Sequence, residues 1–322
     1  MMSEERVTIG ILLAGYNGEK YIGNQLDSLL AQTYTDWKLF IRDDGSTDQT
    51  VSIINKYRAR DNRICLLHNS EKNLGSCQNF ATLLSISRNQ FQYIMFCDQD
   101  DFWLPFKIEE TLTHMRDVEA HYGKETPLLV YTNFQYVDDH LKVIESKKKF
   151  NSTKVSKLRF ANLLAQNPAY GCTMMLNKQL AAIAGVIPLQ AENHDYWIAL
   201  VASALGEIAY LNKRTILYRQ HNSNISTNYN SSSFIKRFKR IMLQRKNLED
   251  AEQKLRMALA FKSLYYDRLT QSHKRILDEF ISFATRTSFS RLVRNIRNGV
   301  RRQTLSQTFL FYVSMMLLKK KH

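Results

Sequence analysis

Two patterns of apolar residues alternate along the first hundred residues: continuous runs and runs with helical spacing. Continuous apolar runs, typical of buried strands, occupy 7–13, 37–41, 64–67 and 93–97. Apolar residues at helical spacing follow the first three runs, at 21–32, from about Thr50, and at 80–87. Strands that alternate with helices predict an α/β fold with a doubly wound, mainly parallel sheet.

The pattern changes after residue 110. Further strands are predicted at 128–131, 172–176, 208–211 and 215–219, and a helix at 194–204. A basic loop at 142–157 and a Ser- and Asn-rich linker at 222–233 interrupt the pattern. From 234 onward it predicts two or three basic amphipathic helices. We therefore expect a mixed, mainly parallel α/β domain over 1–225 and a basic helical region over 226–322.

The net charge of +15 lies entirely in the second of these regions. Residues 1–233 contain 24 basic and 24 acidic side chains, whereas 234–322 contain 21 basic and 6 acidic ones. This asymmetry indicates a neutral body with a basic attachment to an anionic partner, either nucleic acid or an anionic membrane surface.

The four cysteines and the chain start indicate a cytosolic protein. The cysteines show neither CxxC nor zinc-like spacing, so reduced, mostly structural thiols are expected. The first ten residues lack a signal-peptide pattern, and no apolar run reaches the roughly 18 residues that a membrane span needs.

Three carboxylates follow the fourth apolar run, in the sequence Asp98-Gln99-Asp100-Asp101. Such a group is mutually repulsive unless a cation lies between its members, and hard oxygen ligands suit Mg²⁺ or Mn²⁺ bridging a diphosphate. A solvated acidic turn is the alternative. The position at the end of a buried strand favours a site, because the turn after the first strand and Asp43-Asp44 are expected at the same sheet edge.

Four motifs in order carry a resemblance to a known family: Ala14-Gly15-Tyr16-Asn17, Gln32-Thr33-Tyr34, Asp43-Asp44-Gly45-Ser46-Thr47-Asp48 and Asp98-Gln99-Asp100. Together they resemble the family 2 glycosyltransferases of GT-A fold, over about 7–225. Asp98 to Trp103, Gly171-Cys172-Thr173, His194-Asp195-Tyr196-Trp197 and Tyr218-Arg219-Gln220-His221 are most similar to the bacterial rhamnosyltransferase branch. Members of that branch build cell-wall or O-antigen rhamnan from dTDP-L-rhamnose.

The resemblance implies an inverting, metal-dependent transferase and gives its residues roles. Asp100 would be the principal ligand of Mn²⁺ or Mg²⁺, with Asp98 on the ribose or a metal-bound water and His221 on the metal or the diphosphate. Asp195 would be the general base, although capping of the helix that follows is an alternative. The remaining donor contacts would come from Ala14, Tyr16, Asp44, Asn73, Gln99, Trp103 and Arg219. Asp44 would accept the pyrimidine N3–H and Arg219 would clamp the diphosphate, while core packing is an equal alternative for Tyr16 and Trp103.

The end of the chain combines basic and apolar residues. Arg291, Arg294, Arg297 and Arg301 recur on one helical face, and an apolar patch spans 309–318. A helix of this kind lies in a lipid headgroup layer, which suits an acceptor saccharide on a polyprenyl diphosphate at the inner face of the cell membrane. A helix-packing or homo-oligomer interface is the alternative, and nucleic acid is not expected because no recognised module appears.

Two rivals to rhamnosyl transfer are open. One keeps the fold and uses a UDP-hexose donor. The other is a non-catalytic scaffold that binds a nucleotide sugar, and the presence of Asp44, Asp98, Asp100 and Asp195 argues against it.

Overall fold

A computed structural model describes residues 7–67, 73–145, 158–221, 245–286 and 288–318. The Ser- and Asn-rich linker, the expected boundary between 225 and 226, and most of the basic loop lie outside these ranges.

The predicted alternation of strands and helices is confirmed in the first hundred residues. The elements are β1 Ile9–Gly15, α1 Ile22–Leu30, β2 Trp37–Asp43, α2 Thr50–Arg58, β3 Ile64–Leu66, α3 Gly75–Ser87 and β4 Tyr93–Asp98. Strand β1 pairs in parallel with both β2 and β4, and β2 pairs in parallel with β3. Their carboxyl ends therefore meet at one edge of the sheet.

The second half of the sheet makes it mixed. Its elements are β5 Phe102–Trp103, α4 Lys107–Tyr122, β6 Leu128–Val137, α5 Phe160–Leu163, β7 Met174–Asn177, α6 Lys178–Ala184, α7 His194–Leu205 and β8 Glu207–Arg219. The strand order is β3-β2-β1-β4-β7-β6-β8-β5, with β7 antiparallel to both neighbours. The two strands expected at 208–211 and 215–219 are one strand, whose register against β6 shifts near Asn133.

Successive residues of the central strands alternate between two hydrophobic cores. In β1, Ile11 and Leu13 face the core beneath α1, α2 and α4, whereas Leu12 faces the core beneath α3, α6 and α7. Both faces of the sheet are thus covered, which explains why the strands read as continuous apolar runs.

In the part of the C-terminal region that the structure describes, four helices cover the second of these cores: α8 Arg245–Tyr265, α9 Gln271–Thr285, α10 Phe289–Arg297 and α11 Leu305–Leu318. Phe261 of α8 lies 5.9 Å from the ring of Trp197 and 5.5 Å from that of Phe160. No helix among the described residues is long and apolar enough to cross a membrane.

The apolar patch expected at 309–318 is divided between packing and exposure. Phe311, Tyr312 and Met315 are buried against the other C-terminal helices, so packing accounts for these side chains. Phe309 of the same helix is 58 % exposed, and Leu305 is 88 % exposed.

Candidate active site

The carboxyl ends of β1, β2 and β4 bring the predicted site residues together. Ala14 lies opposite Asp98 on the neighbouring strand, and Gly15 lies opposite Asp43. These pairs fix the loops that follow each strand at one edge of the sheet. The prediction that the three motifs share that edge is confirmed.

Gln99 fixes the loop after β1. Its Oε1 accepts the backbone N–H of Tyr16 over 2.9 Å, and its Nε2 donates to the Tyr16 carbonyl oxygen over 2.8 Å. Tyr16 is 49 % exposed, so it is not a core residue. Gln99 thus shapes the site through Tyr16, and its contact with a donor stays a prediction.

Asp44 is a buried acceptor at the start of α3. Its Oδ1 accepts from Arg42 Nη1 and from the Leu74 N–H, both over 3.0 Å, and its Oδ2 accepts from the Gly75 N–H over 2.8 Å. The Asp44 carbonyl oxygen accepts the Asn73 N–H over 3.0 Å, and Asn73 has a φ of 57°. Since a carboxylate oxygen has two lone pairs, Oδ2 retains capacity for one further donor.

Asp98, Asp101 and the Cys172 thiol form a compact group. One ligand atom from each lies within 4.8 Å of the others. Burial, and then the negative charge of Asp100 and of Asp195, raises the pKa of Asp98 to about 7. Asp101 is fully buried, and its Oδ2 has no hydrogen-bond partner among the described residues. Burial, and then Asp100 and Asp98, raises the pKa of Asp101 well above its usual range.

Asp100 and His221 are in direct contact, and their joint role as metal ligands stays a prediction. His221 Nε2 lies 2.8 Å from Asp100 Oδ2, and the imidazole stacks on the Tyr21 ring at a centroid distance of 4.9 Å. Arg219 lies beneath them and is only 1 % exposed. Its Nε donates to the Asp100 carbonyl oxygen over 2.8 Å, and its Nη1 donates to that of Asp139. Arg219 therefore holds the acidic loop, and the diphosphate clamp stays a prediction.

Asp195 lies in the first turn of α7, facing the segment before β7. Its Oδ2 accepts the Gly171 N–H over 3.0 Å, and its Oδ1 accepts the Tyr196 N–H over 2.6 Å. Burial and, to a smaller extent, the charge of Glu192 together raise the pKa of Asp195 to about 6 against the effect of these bonds. A carboxylate with this pKa is ionised at neutral pH and still accepts a proton readily.

Two buried side chains, Trp103 and Lys107, come from the segment after the acidic motif. The sequence predicted Trp103 as a donor contact, with core packing as an equal alternative, and indicated no role for Lys107. Trp103 is fully buried in the core, which agrees with the packing alternative, and its contact with a donor stays a prediction. Lys107 is fully buried with its Nζ 4.5 Å from the Trp103 ring centroid, and within the described ranges that nitrogen has no hydrogen-bond partner. Burial lowers the pKa of Lys107 to about 8.

These side chains fit a divalent cation. Asp98 and Asp101 bring carboxylate oxygens within 4.8 Å of each other and of the Cys172 thiol, and Asp100 of the same loop contacts His221. Carboxylate oxygens are the ligands that Mn²⁺ and Mg²⁺ prefer. Burial and, after it, repulsion between neighbouring carboxylates raise the pKa of Asp98 and of Asp101, and a bound cation would relieve that repulsion.

Residues 11–177 match the model of the family described as Glycosyl transferase family 2. The chain belongs to glycosyl transferase family 2. It is a glycosyltransferase, and the resemblance inferred from the four motifs is confirmed at the level of the family.

Relatives and solved structures agree with this assignment. The dTDP-rhamnosyl transferase RfbG of Shigella flexneri is 27 % identical over 72 % of this chain and 79 % of its own. The UDP-Glc:alpha-D-GlcNAc-diphosphoundecaprenol beta-1,3-glucosyltransferase WfaP of Escherichia coli is 26 % identical over 68 % of this chain and 80 % of its own. The structure of S. aureus TarS 1–349 with UDP-GlcNAc superimposes with a TM-score of 0.57 at 15 % identity, covering 98 % of this chain and 91 % of that one. The likeness to this GT-A structure shows the fold.

Sequence reasoning missed two contributors to the site. Cys172 was read as a structural thiol, but it lies against Asp98 and Asp101. Gly171 belongs to the motif with Cys172, yet nothing in the sequence showed that its N–H binds Asp195. Both come from a segment about seventy residues after the acidic motif, and only the antiparallel pairing of β7 with β4 brings them to the site.

Proposed function

We propose that this enzyme is an inverting, metal-dependent rhamnosyltransferase. It transfers L-rhamnose from dTDP-L-rhamnose to a lipid-linked saccharide during synthesis of a bacterial cell-surface polysaccharide. The observation that supports it best is the convergence of the acidic loop and Asp195 on one sheet edge of a family 2 transferase.

Asp195 acts as the general base. Its carboxylate removes the proton of the acceptor hydroxyl as that oxygen attacks C1 of the sugar from the face opposite the diphosphate. A single displacement with one base and no covalent intermediate inverts the configuration at C1. The Gly171 N–H holds one carboxylate oxygen and so fixes the direction of the base.

The loop that carries Asp98, Asp100 and Asp101 is the binding site for the diphosphate leaving group. Asp98, Asp100 and His221 would hold Mn²⁺ or Mg²⁺, which when bound supplies positive charge to the departing diphosphate. Asp44 accepts the N3–H of the pyrimidine through the remaining capacity of Oδ2. The exposed ring of Tyr16, near Ala14, packs on the base, and Asn73 lies on the nucleotide side.

The donor sugar is inferred from similarity, and one experiment separates the candidates. RfbG, named as a dTDP-rhamnosyl transferase, supports rhamnose, whereas WfaP, named for UDP-Glc, supports the UDP-hexose alternative. The test is a parallel screen of dTDP-L-rhamnose, UDP-glucose and UDP-GlcNAc for metal-dependent hydrolysis and thermal stabilisation. We expect the largest response with dTDP-L-rhamnose. A response to UDP-sugars alone would support the alternative, and no binding or turnover with any donor would contradict the proposal.

A lipid-linked acceptor requires contact with a membrane, and the C-terminal helices offer a surface for it at the cytoplasmic face. On α10, Phe289 is 81 % exposed and Arg294 and Arg297 are exposed, and on α11 Leu305 and Phe309 are exposed. Exposed apolar side chains among arginines suit an anionic lipid surface. The name of WfaP specifies a diphosphoundecaprenol acceptor, which supports the same kind of acceptor here. A homo-oligomer through these helices is the alternative.

A further inference from the structure

Two neighbouring side chains of α8 hold the turn that precedes Asp195. The turn runs over 188–193, and Asn193 begins α7 without a capping side-chain hydrogen bond. Lys254 donates to the Glu192 carboxylate, and Gln253 Nε2 donates to the Gln190 carbonyl oxygen over 2.9 Å. The position of the turn therefore depends on a helix from the far end of the chain.

Lys254 contacts the chain on both sides of Asp195. It is 3 % exposed, and its Nζ lies 3.2 Å from Asp250 Oδ1, one turn earlier on α8. The same nitrogen lies 4.6 Å from the ring centroid of Tyr196, which directly follows Asp195. The ammonium group thus bridges Glu192 before the base and Tyr196 after it.

The energetics of such a pair favour a role in placement over one in stability. Desolvation of a buried charge offsets most of the attraction within an ion pair, so the net stabilisation is small. The side chains of Glu192 and Asp250 are 30 % and 32 % exposed, so each keeps contact with water when the ammonium is removed. Asp250 also retains Arg302 as a partner.

We propose that Lys254 is a positioning residue for the general base: by fixing the Glu192 turn it directs the Asp195 carboxylate toward the acceptor hydroxyl. This rests on the proposed function and deepens it, because it makes the C-terminal helices part of the catalytic unit. The contact that would be lost if the turn moved is the 3.0 Å hydrogen bond that the Gly171 N–H donates to Asp195. A misplacement of about 1 Å in a reacting group can lower a rate about 100-fold.

Lys254→Met tests this, with Arg256→Met as the matched control. Arg256 lies two positions further along α8 and pairs at 3.2 Å with Glu252, both side chains being exposed. We expect Lys254→Met to lower kcat for transfer about 10- to 100-fold, with the dissociation constant of the donor within about twofold of wild type. Arg256→Met should change neither. Equal loss in both variants, or unchanged kcat in Lys254→Met, contradicts the proposal.

The pH profile separates positioning from a loss of folded protein. Without Lys254 the charge of Glu192 is less compensated, so the acid limb of kcat should move to higher pH. Glu192→Gln, added to Lys254→Met, should move it back. If Lys254→Met only reduced the fraction of folded enzyme, kcat would fall equally at every pH and the acid limb would not move. An acid limb at the wild-type pH therefore contradicts the proposal.

Amide hydrogen exchange tests the geometry without substrate. The Gly171 amide should exchange at least about tenfold faster in Lys254→Met than in Arg256→Met, because its bond to Asp195 is lost. If Lys254→Met does not fold, Glu192→Gln weakens the same pair from the other side and should speed the same amide. Unchanged protection of Gly171 overturns the positioning role. Absence of transfer by the wild-type enzyme instead contradicts the proposed function, so the two failures are distinguishable.

Discussion

The acidic edge of the sheet and the basic C-terminal helices show two ways in which charge is arranged in this enzyme. At the sheet edge, Asp98 and Asp101 are crowded together and their pKa values are raised, which is unfavourable without a bound cation. On the C-terminal helices, exposed arginines such as Arg297 lie in solvent and cost little free energy. Crowded, buried carboxylates gain from binding a cation, whereas exposed charges are already solvated by water.

The strongest test of the acidic edge removes one carboxylate. Asp100→Asn should reduce transfer to background, because it weakens both the bond to His221 and the binding of metal and diphosphate. Steady-state transfer assays with added Mn²⁺ or Mg²⁺ measure the effect. Wild-type turnover in the variant, or full activity of the wild-type enzyme in excess EDTA, would contradict the metal assignment.

A smaller loss of activity is expected when a methyl group is added at Gly171, next to the helix turn that carries Asp195. A Cβ at Gly171 would lie 2.5 Å from His194 Nε2, and the imidazole is held between Phe80 and Phe96. Gly171→Ala should therefore shift the start of α7, lower kcat about 10- to 100-fold, and destabilise the fold by about 1–3 kcal/mol.

Gly23→Ala is the control for that substitution. A Cβ there meets only Tyr57 Oη at 3.7 Å, an ordinary contact, so kcat should stay unchanged. Thermal unfolding and transfer assays are compared for both variants. Equal kcat in both would show that the Gly171 approach does not position Asp195.

The pH dependence of kcat reports the base directly. Burial raises the pKa of Asp195 to about 6, and the base must be ionised to accept the acceptor proton. The rate should be constant above that pH and fall about tenfold per unit as the pH decreases below it. Profiles at saturating donor and metal measure this. An acid limb near pH 4 would indicate a solvent-exposed carboxylate as the base.

The smallest expected effect concerns the membrane surface. Binding to anionic vesicles should weaken in high salt without vanishing, because each arginine near the surface contributes about 1 kcal/mol and the apolar contacts are less sensitive to salt. Phe289→Ser with Leu305→Ser should reduce sedimentation with vesicles. Leu189→Ser is the control, because Leu189 is 80 % exposed outside the C-terminal helices.

The vesicle experiment also addresses the alternative of assembly. Two results together would indicate that these helices form an interface between subunits. The full chain would bind neither anionic nor neutral vesicles, and the double serine variant would be a monomer where the wild-type protein is an oligomer.

The same two regions show what the sequence could predict. The strands of the sheet edge were predictable because burial on both faces makes them continuous apolar runs that end in polar turns. Asp98, Asp100 and Asp195 could be named because their motifs are local. The contacts of Cys172 with Asp98 and of Lys254 with Glu192 could not, since they join residues 62 or more positions apart without any periodic signal.

The C-terminal helices show the limit of hydrophobic patterns. The sequence pattern of an apolar helix face is the same whether that face contacts lipid or packs against another helix. Phe311 and Tyr312 are buried against other helices, so helix packing accounts for them. Phe309 of the same helix is exposed. The number of helices also exceeded the expected two or three, because short α10 has its own capping residue, Ser288, whose Oγ accepts the Arg291 N–H.

The most direct test of the central claim compares binding and turnover in Asp195→Asn. Asparagine keeps the size of the side chain and an acceptor for the Gly171 N–H, but it cannot take up the acceptor proton. We expect the dissociation constant of the donor to stay within about threefold of wild type and kcat to fall about 100- to 10,000-fold, the usual range for a general base. Donor affinity that collapses while the rate at saturation survives would show that Asp195 binds the donor and that another group is the base.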